Sequence, residues 1–215
     1  YYQRGNVRYD QGESYLALDD YGCAIGVDPE YLQAYYNRAV ILANLGRHTE
    51  AIRDLDQVIA IRPALANAYL NRGASLDALE HREEAISNYT AALRHDPFNV
   101  DAFFNRARIN YYLGRLMDTV SDYSKVVELS PQDAEAFNNR GLAFDALGNY
   151  QQAVDDYAQA LALRPEFAEA RSNQGAAWEA LGVVDEALAG YLAASSIDPD
   201  CAAAHYNAAR LYANM

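Results

Sequence analysis

Six prolines, Pro29, Pro63, Pro97, Pro131, Pro165 and Pro199, follow one another at intervals of 34 residues and are all the prolines in the chain. Proline cannot donate a hydrogen bond inside a helix, and its ring clashes with the preceding turn. Such even spacing therefore marks a chain made from one repeated unit, in which each copy buries its apolar face against its neighbours. A single globular core is excluded by the same argument, whatever the length of the chain.

With each proline counted as position 32, full units run 32–65, 66–99, 100–133, 134–167 and 168–201, with a partial unit over 1–31 and a final helix over 202–215. The whole of 1–215 reads as one domain. It starts inside one unit and stops inside another, so the sequence is read as a fragment. Position 8 is always tiny: Gly5, Ala39, Gly73, Ala107, Gly141, Gly175 and Ala209. Position 20 is Ala17, Ala51, Ala85, Thr119, Ala153 and Ala187, and position 24 is Tyr21, Leu55, Tyr89, Tyr123, Tyr157 and Tyr191. Steps of four and three, as in positions 4, 8, 11 and again 20, 24, 27, trace one face of an α-helix, twice per unit. Glycine at position 15 (Gly12, Gly46, Gly114, Gly148 and Gly182) ends the first helix of the pair, except that Glu80 stands there in the third unit. The fold class is all-α, an α-solenoid of helix–turn–helix units, with no strand expected.

These positions resemble the tetratricopeptide repeat, with its aromatic at 4, small residue at 8, alanine at 20, aromatic at 24 and proline at 32. The resemblance covers the chain and implies a right-handed superhelix whose first helices line a concave groove. Departures fall at Arg171 and His205 (position 4) and at Arg8 and Asn110 (position 11). Position 7, leucine in most of that family, is Arg4, Arg38, Arg72, Arg106 and Arg140, then Gln174 and Ala208. Each arginine has Asp or Asn sixteen residues on (Asp20, Asp54, Asn88, Asp122, Asp156), and where arginine is lost the acceptor becomes Gly190. Matched loss favours a hydrogen-bonded pair inside each unit over a free row of arginines reading a partner's carboxylates.

The functional expectation is a protein–protein interaction module that takes an extended peptide or a partner helix in the groove. Position 6 carries Gln3, then Asn37, Asn71, Asn105, Asn139, Asn173 and Asn207, although asparagine is a mediocre helix former. An amide offers both a donor and an acceptor, which suits a peptide backbone. The row is similar to the asparagine ladder in the repeat domain of the O-linked N-acetylglucosamine transferases; the alternative is that these amides bridge adjacent units. Aromatic residues on the same face, Tyr2, Tyr36 and Phe104, join Arg108 and Tyr112 of the fourth unit as candidate partner-binding residues. The lysine-and-arginine clamp by which some members of the family hold acidic C-termini is missing, since position 6 never carries arginine.

A net charge of −13, with Lys125 the sole lysine, is unsuited to neutralising phosphates, so no nucleic-acid partner is expected. Asp77, Asp145 and Glu179 at position 12 make a neutral or basic partner segment the favoured one. No membrane span, cofactor or metal site is expected, the four histidines sharing no register, and no catalytic constellation stands out. Cys23 and Cys201 lie five units apart and cannot pair in a solenoid, which points to a cytoplasmic or other intracellular compartment. Two other functional readings stay open: a scaffold subunit that self-associates through its terminal repeats, and the substrate-selecting arm of a transferase whose catalytic domain lies elsewhere.

Overall fold

The structure is a computed structural model and describes residues 1–214. Among them are thirteen α-helices and no strand. The helices are α1 (Tyr2–Asp10), α2 (Ser14–Val27), α3 (Leu32–Asn44), α4 (His48–Ile61), α5 (Ala66–Ala78), α6 (Arg82–His95), α7 (Val100–Tyr112), α8 (Leu116–Leu129), α9 (Ala134–Ala146), α10 (Tyr150–Leu163), α11 (Ala168–Ala180), α12 (Val184–Ile197) and α13 (Ala202–Asn214). Contacts divide the chain into two compact halves, Tyr1–Arg106 and Ala107–Met215. Within the first half α1 to α6 pack in sequence, each on the next, and within the second half α8 to α13 do the same.

The punctuation works as the sequence predicts. Gly46 has φ 73°, its N–H reaches the Ala43 carbonyl at 2.9 Å, and the Arg47 N–H reaches back to the Leu42 carbonyl at 2.8 Å. That is the left-handed cap that satisfies a helix's last carbonyls. Glu80 adopts the same conformation with φ 64° and the same pair of bonds, Glu80 to Asp77 and His81 to Leu76. The third turn is thus built like its sisters, at the cost of a left-handed residue with a side chain. At the other end of each hairpin the residue before proline turns extended, as at Asp28 (φ −133°, ψ 98°), and the helix stops there.

The core differs from the sequence reading in one register. Position 3 alanines, Ala34, Ala68, Ala102, Ala136, Ala170 and Ala204, are wholly buried, whereas the position 4 rings Tyr35, Tyr69, Phe103 and Phe137 are only half-buried. Successive helical residues point about 100° apart, so the ring at 4 lies beside the helix junction and not in it. There it supports the arginine at position 7: Arg38 lies over Tyr35, Arg72 over Tyr69, Arg106 over Phe103 and Arg140 over Phe137, all 5.6–5.8 Å from the ring centre. Positions 8 and 24 meet as expected. A Cβ placed on Gly141 would come within 2.7 Å of the Tyr157 ring, and one on Gly73 within 2.8 Å of Tyr89. Burying a ring of this size contributes roughly 1.5–3 kcal/mol, and at these two positions glycine leaves the ring its room, whereas Ala107 and Tyr123 are buried together in the fourth unit.

The arginines form a lattice. Forward, Arg38 clasps Asp54 through Nε and Nη2, both at 2.7 Å, and Arg140 clasps Asp156 in the same way; Arg72 bonds Asn88 at 2.7 Å. In the partial unit Arg4 pairs with Asp20, which also receives Arg8 at 2.8 Å, so the polar intruder at position 11 is part of the same latch. The Arg4 hydrogen bond, with Arg8 adding its charge, holds the Asp20 carboxyl below the usual carboxylate range. The sixth unit does without arginine. There Gly190 of α12 sits against Gly175 of α11 so closely that a Cβ would lie 3.1 Å from the Gly175 Cα.

Candidate protein-binding surface

In the first half, positions 5, 6 and 9 of the first helices converge. Tyr2, on α1, and Tyr36 and Asn37, on α3, are half-buried, as is Asn71 on α5. They form one hydrogen-bonded row. Asn37 Nδ2 donates to the Tyr2 hydroxyl at 3.1 Å and to Asn6 Oδ1 at 3.2 Å, while Asn71 Nδ2 donates to the Tyr36 hydroxyl at 3.0 Å. Tyr21 donates its hydroxyl to Asn6 at 2.6 Å, and burial pushes its phenol up. The position 6 amides therefore spend their donors on the repeat before them.

A cavity of about 630 Å³ opens over this row, lined by Asn6, Tyr9, Tyr21, Tyr36, Asn37 and Asn71 among others. A smaller one, about 290 Å³, adjoins it and shares Val40 and Asn71. Beside the smaller cavity Ser75 Oγ and His48 Nδ1 are buried without a hydrogen-bond partner. Asn6 and Tyr9 are not among the residues the sequence singles out: position 9 shows no repeating chemistry, and the repeated residue at position 12 is an acid rather than tyrosine.

In the second half the same device changes chemistry. Asn173 Nδ2 donates to Asn138 Oδ1 at 3.2 Å, so an amide replaces the tyrosine at position 5. Asn139 is half-buried and hydrogen-bonds the Tyr123 phenol, whose pKa burial nevertheless pushes up to about 12. Asn207 is half-buried on α13. Glu179 is committed: it accepts from the Tyr191 hydroxyl at 3.0 Å and from Arg210 at 2.6 Å, so its charge is not free to colour the surface. Asp145 is half-buried, and burial raises its carboxyl. The remaining candidates are spread along α7. Phe104 and Asn105 are half-buried in the first half, while Arg108 and Tyr112 are exposed in the second.

Family models described as the tetratricopeptide repeat match residues 2–66, 70–134 and 134–167. The chain belongs to the tetratricopeptide repeat family. Solved tetratricopeptide structures share its fold at low identity. YrrB, described as a TPR protein with an unusual peptide-binding site, is 24% identical with a TM-score of 0.80, over 86% of this chain and 96% of its own. The C-terminal part of a TPR repeat-containing protein from Cytophaga hutchinsonii is 17% identical with a TM-score of 0.81, over 92% and 79%. MamA from Desulfovibrio magneticus RS-1 is 18% identical with a TM-score of 0.74, over 80% and 97%. No protein with a curated description matches the sequence. Among the described residues of this tetratricopeptide-repeat chain, no helix is long and apolar enough to cross a membrane and no group of side chains could hold a metal ion.

Proposed function

We propose that this tetratricopeptide-repeat chain is a protein-interaction module that holds an extended peptide along α1, α3 and α5. The observation that carries this is the Tyr36–Asn71 pair beneath the two adjoining cavities. Tyr36 accepts from Asn71 Nδ2 and keeps its O–H, and Asn71 keeps the acceptor Oδ1. One donor and one acceptor, side by side, complement the C=O and N–H of a single peptide group. The bond between repeats thus orients the pair and leaves its outward valences for a backbone. The aromatic faces of Tyr9 and Tyr36 add apolar area on which side chains of many kinds can lie. The peptide-binding site in the description of YrrB supports the same use of the fold.

The test is capture of partners from extract, followed by affinity measurement with Tyr36→Phe and Asn71→Ala. Losing one such hydrogen bond removes about 0.5–1.5 kcal/mol, or roughly two- to tenfold in affinity. Unchanged affinity in both variants, with the melting temperature retained, overturns the reading.

A further inference from the structure

Three arginines of the lattice, Arg72, Arg106 and Arg140, reach backward onto the preceding repeat. Nη1 of Arg72 meets Asp56, Nη1 of Arg106 meets the Thr90 hydroxyl at 2.9 Å, and Nη1 of Arg140 meets the Ser124 hydroxyl at 3.2 Å. Each acceptor lies sixteen residues earlier, on the second helix of the preceding repeat. The residue sixteen before Arg38 is Gly22, and a Cβ built there would stand 3.6 Å from Arg38 Nη1. Nε and Nη2 are taken by Asp54, and Nη1 of Arg38 has no hydrogen-bond acceptor among the described residues.

The place of the missing side chain opens into a cavity of about 850 Å³ between α2, α3 and α4. Tyr15, Cys23, Leu42 and Arg53 line it, and it shares no residue with the two cavities over the first helices. Three carboxylates stand on its wall. Asp54 is held by Arg38, and Glu50 is held by Arg47 through two bonds of 2.7 and 2.8 Å. Asp19 makes no hydrogen bond or ion pair among the described residues, and neither does Arg53, whose charge acts on Glu50 across the recess. Two donor groups, Nη1 of Arg38 and the Arg53 guanidinium, thus face one uncommitted carboxylate in a recess of mixed polar and apolar lining, where a carboxylate ligand gains charge-assisted hydrogen bonds.

We propose that this recess is a second binding site, one that takes a carboxylate of a partner peptide. Its oxygen occupies the position that Asp56, Thr90 and Ser124 fill in the sister repeats, and Arg53 supplies the second cation. A net charge of −13 disfavours acidic segments over most of the surface, so docking of a carboxylate is confined to a place where donors stand unpaired. The site is independent of the groove over the first helices, and either can fail without the other.

Cys23 reports occupancy, because it lines the recess, and Cys201 in the other half serves as the internal control. The rate of iodoacetamide alkylation at each is followed in the whole chain, with acetyl-Gly-Glu-Gly-amide, with acetyl-Gly-Gly-Gly bearing a free C-terminus, and with acetyl-Gly-Gln-Gly-amide at matched ionic strength. The expected result is a several-fold slowing at Cys23, none at Cys201, by at least one of the two carboxylate peptides. Whichever one acts identifies the source as a side chain or a chain terminus. Gly22→Ser puts back the hydroxyl of the sister repeats and improves helix propensity, so it is expected to abolish the protection with the fold intact. Arg53→Gln is expected to weaken it. No slowing by either carboxylate peptide, equal slowing by the glutamine peptide, or full protection in Gly22→Ser overturns the proposal.

Discussion

Arg140 grips Asp156 with both arms of its fork, Nε and Nη2 each donating to a carboxylate oxygen at 2.7 Å. The acid is nearly buried and the guanidinium largely so, with side-chain exposures of 6% and 18%. Burial pushes the Asp156 carboxyl up, and the hydrogen bond and charge of Arg140 hold it down. Arg140→Leu strips that compensation and leaves a buried acid alone, a loss expected to be about 3–5 kcal/mol. Arg140→Leu with Asp156→Leu is expected to lose less, since no unpaired charge remains. Denaturant melts of both variants check this, and equal losses would refute the buried latch.

Gly141 and Tyr157 are matched in size. Gly141→Ala drives a methyl into the ring and is expected to cost about 1–3 kcal/mol by overpacking. Gly141→Ala with Tyr157→Leu reproduces the Ala39 and Leu55 combination of the second repeat and is expected to lose less than the sum of the two single changes. A double-mutant cycle by thermal melting measures the coupling.

Glu80→Gly is expected to stabilise. The left-handed φ of 64° costs a residue with a Cβ about 1–2 kcal/mol that glycine avoids. The gain is reduced by the extra freedom glycine has in the unfolded chain. A rise in melting temperature at constant denaturant m-value is the result that checks it.

At alkaline pH the buried tyrosines set the limit of stability. Burial pushes Tyr123 up to about 12 and drives Tyr157 and Tyr191 higher still. The folded state thus prefers the neutral phenol more strongly than the unfolded state does. Their contribution is whole below the ordinary phenol value of about 10 and is lost as pH rises through the folded value. Phenolate absorbance is expected to develop in two stages, exposed rings first and the buried set together with unfolding. A single stage at the ordinary value would contradict the burial.

How far the sequence foretold this depends on whether a role repeats with one residue type. Proline at 32, glycine at 15 and the arginine with its acid sixteen residues on recur as the same letters, and all three are seen in the structure. The backward partner of the arginines is not legible because it is aspartate at 56, threonine at 90 and serine at 124, and is missing at Gly22: one geometric role with changing chemistry. The half-buried place of the aromatic at position 4 is not legible, because hydrophobicity alone cannot separate burial in the helix junction from stacking under a guanidinium. The asparagine row was legible as a row, but a helical wheel shows neither the tyrosine of the preceding repeat nor which half of each amide it engages. Tyr36 and Asn71 are both legible as surface candidates, but their bond is not.

An arginine that holds a residue ahead of it and another behind makes two repeats answer as one when heat or denaturant works on them. At the sixth repeat Gln174 stands in the arginine's place and keeps one backward bond, Nε2 to the Val154 carbonyl at 3.3 Å, with no forward partner on α12, where α11 and α12 meet through the bare backbones of Gly175 and Gly190. Close backbone contact closes a hairpin but transmits little to the hairpin before it. Amide hydrogen exchange in α11 and α12 should accordingly proceed by openings that leave α9 and α10 shut, whereas α9 and α10 should exchange as a pair. The change from arginine to Gln174 at position 7 thereby fixes where along the second half cooperativity weakens.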